Sequence, residues 1–365
     1  MHQERVNKVL DLMAQKNLTQ MIISDPSAIF YLTGTWIQPG ERLLALYLTQ
    51  TGKHKLFVNE LFPFADAIQC DKVWLNDNMD GIGVLAEYVE KDKPVAIDKN
   101  WPARFLIGLI DKKAGSAFVN GSEIVDRVRM VKDAEEIKLM REASRLNDLA
   151  IGRVIELMKE DYDEVEVERK LSEIWEELGA DGHSFEPIIG YGANAADPHH
   201  SITKGAHKKP GDSIVIDMGC LYKSYCSDMT RTVFYKSVSD EGRKVYEITR
   251  DANLKAIDKV KPGVTFAELD AAARDYITDH GYGKYFTHRL GHSIGIDIHE
   301  PGDVSAANTE QVVPGRIFSI EPGIYLPGNL GVRVEDLVLV TEDGCEVLNH
   351  FTKDTCLTPR RLVPR

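Results

Sequence analysis

Two short runs, Ser213-Ile-Val-Ile-Asp-Met-Gly219 and Ser227-Asp-Met-Thr-Arg-Thr-Val-Phe234, constrain this chain more than any other feature. Their β-branched, apolar character is that of buried strands, yet Asp217 interrupts the first and Asp228 opens the second. A carboxylate taken out of water is costly unless something neutralises it. Alternation places Val215 and Asp217 on one face of the first strand, and Asp228, Thr230 and Thr232 on one face of the second. Tyr222-Lys-Ser-Tyr225 between them reads as a hairpin connection, which would bring the two carboxylates together. Paired buried carboxylates either share a proton or hold a cation. Farther along stand His292, Glu321 and Glu335, each in a Gly-rich or strand-like run. Four carboxylates and one imidazole form an oxygen-rich set suited to two hard divalent ions.

The 365 residues allow two domains. A net charge of −13 opposes a nucleic-acid partner, which would need clustered Lys and Arg. No apolar run reaches the roughly 20 residues of a membrane span. The polar opening Met1-His-Gln-Glu-Arg lacks the apolar core of a signal peptide, so a cytoplasmic location is expected. The five cysteines, odd in number and without a CxxC pair, read as reduced thiols. Leu362-Val-Pro-Arg365 resembles the remnant of an expression tag and is set apart, within a tail of residues 359–365.

Residues 1–122 alternate helix-like and strand-like segments and read as a small α/β domain. Its Thr33–Gly40 loop carries Trp36, either a binding surface or a ring packed beneath its own loop. Residues 123–358 form a second domain of α+β character. Asp133-Ala-Glu-Glu136 reads as a capped start of a long helix reaching about Lys159, followed by a helix near Val165–Leu178 and strands at Phe185–Gly190, Ser213–Gly219 and Tyr225–Phe234. The order then recurs: helices over Asp240–Lys259 and from the Thr265-Phe-Ala-Glu268 capping box to Asp279, then strands at Arg316–Tyr325 and Val332–Val340. Two helix-helix-strand-strand halves point to an internal duplication in which each half delivers two carboxylates to a shared centre.

Taken singly, each candidate has a bland reading. Asp217 suits a turn cap, Glu321 before Pro322-Gly323 a solvated turn, and Glu335 an ion pair with Arg333. His292 alone would be a core histidine. The combination carries the argument.

That combination resembles the pita-bread metallopeptidases. The matching stretches are Ile216-Asp-Met-Gly…Ser227-Asp-Met-Thr-Arg-Thr, Arg289-Leu-Gly-His-Ser-Ile-Gly, Ser319-Ile-Glu-Pro-Gly-Ile-Tyr and Val332-Arg-Val-Glu-Asp. Within that family the chain is most similar to Xaa-Pro dipeptidases (prolidases) and Xaa-Pro aminopeptidases. The resemblance implies a pita-bread (creatinase/aminopeptidase-like) catalytic domain with internal pseudo-duplication, preceded by the smaller α/β domain. It implies Asp217, Asp228, His292, Glu321 and Glu335 as ligands of two divalent ions, with Asp228 and Glu335 bridging. The carboxylate majority favours Mn²⁺, with Co²⁺ or Zn²⁺ as alternatives. It further implies site roles for His199, with His200 as rival, and for His288, His299, Tyr325 and Arg333. His299 and Tyr325 would touch substrate, Arg333 would orient a carboxylate, and Glu321 would move the proton to the leaving nitrogen. Proline-containing dipeptides or short peptides are the expected partners, with no nucleic acid or membrane, and the chain is expected to form a homodimer.

One departure stands out. Prolidases of this group often place an Arg before the Glu-Pro-Gly strand to hold the dipeptide carboxylate, and Gly302–Gln311 contains none. Length leans toward a dipeptidase, with an Xaa-Pro aminopeptidase as the alternative. Non-catalytic, histone-binding relatives and metal-free creatinase are disfavoured because all five ligand positions are filled. Methionine aminopeptidase is disfavoured by the N-terminal domain and the Pro198-His-His200 stretch.

Overall fold

The computed structural model describes residues 1–354. Cys356 and the tag-like C-terminus lie outside them; Cys70, Cys220, Cys226 and Cys345 are free thiols. The chain divides into two compact units, Met1–Arg129 and the part from Met130 onward. No described helix is long and apolar enough to cross a membrane.

In the first unit a six-stranded mixed sheet runs in the order Asp71–Leu75, Lys55–Asn59, Ala45–Thr49, Gln20–Ile23, Pro94–Ile97, Ala117–Asn120. The sequence reading leaves three helices unassigned: Pro26–Thr33 and Gly81–Tyr88 of this unit, and Ser122–Met130, which ends at its boundary. The first carried a legible signal, since Asp25 caps it and Pro26 opens it. Trp36 stacks on Phe30 with ring centroids 4.7 Å apart, so the packing alternative holds for this loop.

The second unit repeats one plan twice. In the first half, Ala134–Leu157 and Glu164–Leu178 both begin with complete capping boxes, Asp133/Glu136 and Asp163/Glu166. Their apolar faces, including Leu146, Ile151, Val154 and Trp175, pack on Ile189 and Ile216 of a three-stranded antiparallel sheet. Burying each such side chain contributes about 1.5–3 kcal/mol relative to exposure. Ser213–Met218 is the central strand, between Ile188–Tyr191 and Met229–Phe234. The register pairs Asp217 with Thr230 and Val215 with Thr232, as alternation requires. The expected hairpin is present: Cys220–Tyr222 and Tyr225–Cys226 pair across Lys223 and Ser224, both with positive φ.

In the second half, Asp240–Lys259 and Phe266–Asp279 match their predicted spans, and Thr265/Glu268 close the capping box. The helices cover a five-stranded sheet in which Gly291–Ser293, Ile317–Ile320 and Asp336–Val340 are neighbours. Phe266 meets Phe318 edge-on at 5.2 Å inside this second core. Two predicted strands are each broken in the middle. Arg316–Tyr325 separates into Ile317–Ile320 and Gly323–Leu326 at Glu321-Pro322, and Val332–Val340 separates into Leu330–Arg333 and Asp336–Val340 at Val334-Glu335. The short strands of the two breaks pair with each other, Tyr325 opposite Gly331.

Candidate active site

All four carboxylates sit at strand ends. Asp217 is the penultimate residue of its strand and Asp228 directly precedes the next one. Glu321 follows Ile317–Ile320, and Glu335 precedes Asp336–Val340. At such positions a side chain can leave the pleated face without costing a ladder hydrogen bond. Two asparagines fix these ends. Asn147 on the first helix of one half donates to the carbonyl of Met218 at 2.9 Å. Asn253 on the corresponding helix of the other half donates to the carbonyls of Ile320 (2.9 Å) and Val334 (3.3 Å).

The four carboxylates and His292 line one cavity of about 510 Å³. His199, His288, His299 and Arg333 line it as well. Ligand atoms of Asp228, His292 and Glu335 all lie within 4.8 Å of one another. The Nε2 atom of His292 is 3.5 Å from an oxygen of Asp228 and 3.4 Å from one of Glu321. Its Nδ1 faces the Ser293 carbonyl at 3.2 Å. A proton on Nδ1 satisfies that carbonyl and turns the Nε2 lone pair toward the carboxylates, the tautomer a metal ligand needs. Ser319 couples two members, its hydroxyl accepting from the His292 backbone N–H and donating to Glu321. Only glycine fits at 291, because a Cβ there would meet the Ser319 carbonyl oxygen at 1.9 Å.

The electrostatics are those of a site built for cations. Burial, then repulsion from Asp217 and Glu321, raises the Asp228 carboxyl well above the usual range. Burial and the charges of Asp228 and Glu321 do the same to Glu335, and burial raises Glu321. Asp217 Oδ1, Asp228 Oδ1 and Glu335 Oε1 are buried without a hydrogen-bond partner. Buried acceptors of this kind are rare unless an ion or water completes them. Three orphaned carboxylate oxygens lining one cavity with an imidazole lone pair fit divalent cations.

Arg333 is the main positive charge facing them. It donates to Asp217 Oδ2 at 2.6 Å, to Thr230 Oγ1 at 3.0 Å, to the Pro198 carbonyl at 3.2 Å and to the Tyr325 hydroxyl at 2.9 Å. Burial works against its charge, but Tyr325, Asp217 and the two glutamates hold its pKa well above the ordinary value. Tyr325 is placed differently from expectation. It is absent from the cavity lining, and its hydroxyl sits between Arg333 and His288 Nε2, 2.9 Å from the latter. Burial pushes the phenol up to about 12, against the downward pull of Arg333. His288 Nδ1 in turn faces the Arg289 carbonyl at 2.7 Å. Burial and Arg333 pull His288 down to about 3, so the ring is neutral, with its proton on Nδ1 and Nε2 accepting from Tyr325.

His299 stands exposed at the cavity, edge-on to His292 with centroids 4.2 Å apart. Burial of part of its ring and the neighbouring His292 lower it to about 4. His199 is also exposed and lines the cavity, whereas His200 turns away to Glu164 at 2.7 Å. Of these two adjacent histidines, His199 faces the cavity and His200 faces Glu164. Sequence reasoning missed Asn147, Asn253 and Ser319, whose partners are remote in sequence or backbone atoms.

The comparisons with known proteins agree with this geometry. Residues 138–342 match the model of metallopeptidase family M24, and residues 5–131 match the creatinase/prolidase N-terminal domain. An uncharacterized peptidase of Staphylococcus aureus (strain USA300) is 32% identical, covering 96% of this chain and 99% of its own. The recombinant prolidase from Thermococcus sibiricus superposes with a TM-score of 0.93 at 32% identity, over 98% of this chain and 99% of that one. Dipeptidase PepE from Mycobacterium ulcerans gives 0.91 at 31% identity, over 98% of each chain. With its pita-bread catalytic unit and its α/β N-terminal unit, this chain belongs to metallopeptidase family M24.

Proposed function

We propose that this chain is a metal-dependent exopeptidase that hydrolyses Xaa-Pro bonds, with dipeptides as preferred substrates. The observation that carries the reading is the meeting of Asp217, Asp228, His292, Glu321 and Glu335 around one cavity, with buried carboxylate oxygens that nothing else satisfies. Those five residues would hold two divalent ions, Mn²⁺ in preference because oxygen donors dominate. Bound there, such ions polarise a scissile carbonyl and make a water acidic enough to attack near neutral pH.

The remaining work falls to protein groups. Glu321, with its raised pKa, is suited to take the proton of the attacking water and give it to the prolyl nitrogen. That nitrogen is a secondary amine and departs only once protonated. His299, neutral near pH 7 and open to the cavity, can donate a ring N–H to the oxygen on which charge develops. His199 flanks the same space. Arg333 keeps Asp217 aimed, and Tyr325 with His288 keeps Arg333 in place rather than touching substrate.

A second reading, an Xaa-Pro aminopeptidase acting on longer peptides, is favoured by one observation. The segment expected to hold a carboxylate-binding Arg instead contains Asp303, which pairs with Arg289 at 2.5 Å. Turnover of Ala-Pro, Gly-Pro and a longer Xaa-Pro peptide, with and without Mn²⁺, separates the two. The dipeptidase reading expects Mn²⁺-dependent cleavage with dipeptides fastest, and preference for the longer peptide would replace it with the aminopeptidase.

A further inference from the structure

We infer that Glu164 is a positioning residue for His199, a role that rests on the peptidase reading above. Glu164 is the first residue of the Glu164–Leu178 helix, yet its side chain is fully buried. An acidic residue in a first helical turn ordinarily favours the helix dipole from a solvated position. Here Asp163 and Glu166 already perform the capping, and Glu164 is free to reach away from its own helix.

Its carboxyl group accepts four hydrogen bonds, every one from the segment 191–203. Oε1 receives the backbone N–H of Tyr191 (3.0 Å) and the side chain of Asn194 (2.9 Å). Oε2 receives Nε2 of His200 (2.7 Å) and the backbone N–H of Thr203 (2.8 Å). Hydrogen bonds to a carboxylate are shorter and stronger than neutral ones. Between these anchors the chain has only one 3-10 turn, Asn194–Ala196, and it is in this stretch that Pro198 and His199 reach the cavity. One further tie fixes the far side: the Pro198 carbonyl accepts from Arg333 at 3.2 Å. The segment also rests on Gly331, where a Cβ would meet the Ala195 carbonyl oxygen at 1.7 Å. One buried carboxyl thus anchors both ends of the loop that presents His199, and His200 serves as a clasp next to the working ring.

The decisive experiment is a double-mutant cycle between Glu164→Gln and His199→Ala in the Mn²⁺-loaded enzyme. The amide of Glu164→Gln keeps the shape but places N–H groups against Oε2's two donors. Its kcat for Ala-Pro is expected to fall roughly 10- to 100-fold, because ångström-scale misplacement costs that much. KM and bound metal are expected to stay close to the parent values. In the His199→Ala background the same change is expected to alter kcat by less than about twofold, since residues acting through one another are non-additive. Additive losses would overturn the assignment. Should Glu164→Gln fail to fold, His200→Gln, which can still donate to Glu164, is expected to retain more turnover than His200→Leu, and equal losses would also overturn it. Amide hydrogen exchange of 191–203 gives a readout independent of activity: faster exchange in Glu164→Gln is expected, and unchanged protection would overturn the anchor. Wild-type protein inactive on every Xaa-Pro peptide would instead overturn the peptidase reading.

Discussion

The two halves of the catalytic unit share a plan but hold their carboxylates by different means. In the first half, Asp217 lies within a continuous antiparallel ladder and Asp228 directly precedes it, and six register pairs between Ser213–Met218 and Met229–Phe234 determine their separation. In the second, Glu321 and Glu335 occupy gaps between short strands, where no ladder continues. Asn253 compensates by binding the carbonyl of the residue ahead of each glutamate, while Asn147 in the first half binds one carbonyl. The halves are joined at the site itself. Thr230 Oγ1 of one half donates to Glu335 Oε2 of the other at 2.6 Å, and Arg333 of the second half binds Asp217 of the first. One half is held by its backbone and the other by side chains, so substitutions should damage the second more readily outside the ligands themselves.

Loss of a ligand charge is the severest break and should be blind to which half is struck. Asp228→Asn and Glu335→Gln are each expected to lose bound metal and to lower turnover on the order of 10³-fold or more, since both act as members of one unit. Elemental analysis beside steady-state kinetics checks this, and loss confined to one variant would mean the halves do not share a centre. His299→Ala, which removes a donor but no ligand, is expected to keep both metals and to lose roughly 10²-fold in kcat. Loss of metal from that variant would contradict its placement outside the ligand set.

The asparagines sharpen the contrast between backbone and side-chain support. Asn147→Ala leaves one buried carbonyl unpaired and is expected to cost about 1–2 kcal/mol. Asn253→Ala strands two carbonyls and removes one of two acceptors of the Lys353 ammonium, which keeps Asp336 at 2.7 Å, and is expected to cost roughly twice as much. Denaturant unfolding of the metal-loaded proteins measures both, and equal costs would remove the proposed difference between the halves.

What the sequence disclosed follows the same division. Asp217 and Asp228 were legible because a charge inside a β-branched run is anomalous, and the hairpin between them has its own turn chemistry. The helix starts at Asp133 and Thr265 were legible as capping boxes. The strand break at Glu321 had a signal in Pro322-Gly323, since proline cannot continue a central ladder. The break at Val334-Glu335 had no turn residue to mark it, its only hint being the Glu335-Asp336 pair inside an otherwise Val- and Leu-rich run. Asn147, Asn253 and Glu164 were invisible for a different reason. A polar residue in a helical run reads as solvated surface until the fold supplies a distant backbone partner. The resemblance implies a substrate contact for Tyr325, and nothing in the sequence shows that its hydroxyl meets Arg333 and His288.

The smallest expected effect is in pH. Asp228, Glu321 and Glu335 have pKa values raised on folding. In metal-free protein their stabilising contribution is complete below the unfolded carboxylate range near ~4, and is lost as pH rises through the raised values. His288 at about 3 and His299 at about 4 act in the opposite direction. Depressed from an unfolded value of ~6.5, they contribute fully above it and lose that contribution as pH falls. Bound cations cancel the carboxylate repulsion and leave the histidine part. The gap in Tm between metal-loaded and metal-free protein should therefore widen by a few degrees from about pH 5 to about pH 8. A gap that stays constant or narrows would mean these carboxylates are not mutually repulsive.

The central claim is that both halves build one cation-dependent hydrolytic centre, and metal titration of the chelated enzyme tests it most directly. Exhaustively chelated protein, confirmed metal-free by elemental analysis, should be folded and inactive on Ala-Pro. Stepwise Mn²⁺ should restore turnover, with saturation at two ions per chain. Full turnover by demonstrably metal-free protein, or binding of Mn²⁺ without any recovery of Xaa-Pro cleavage, would contradict the account.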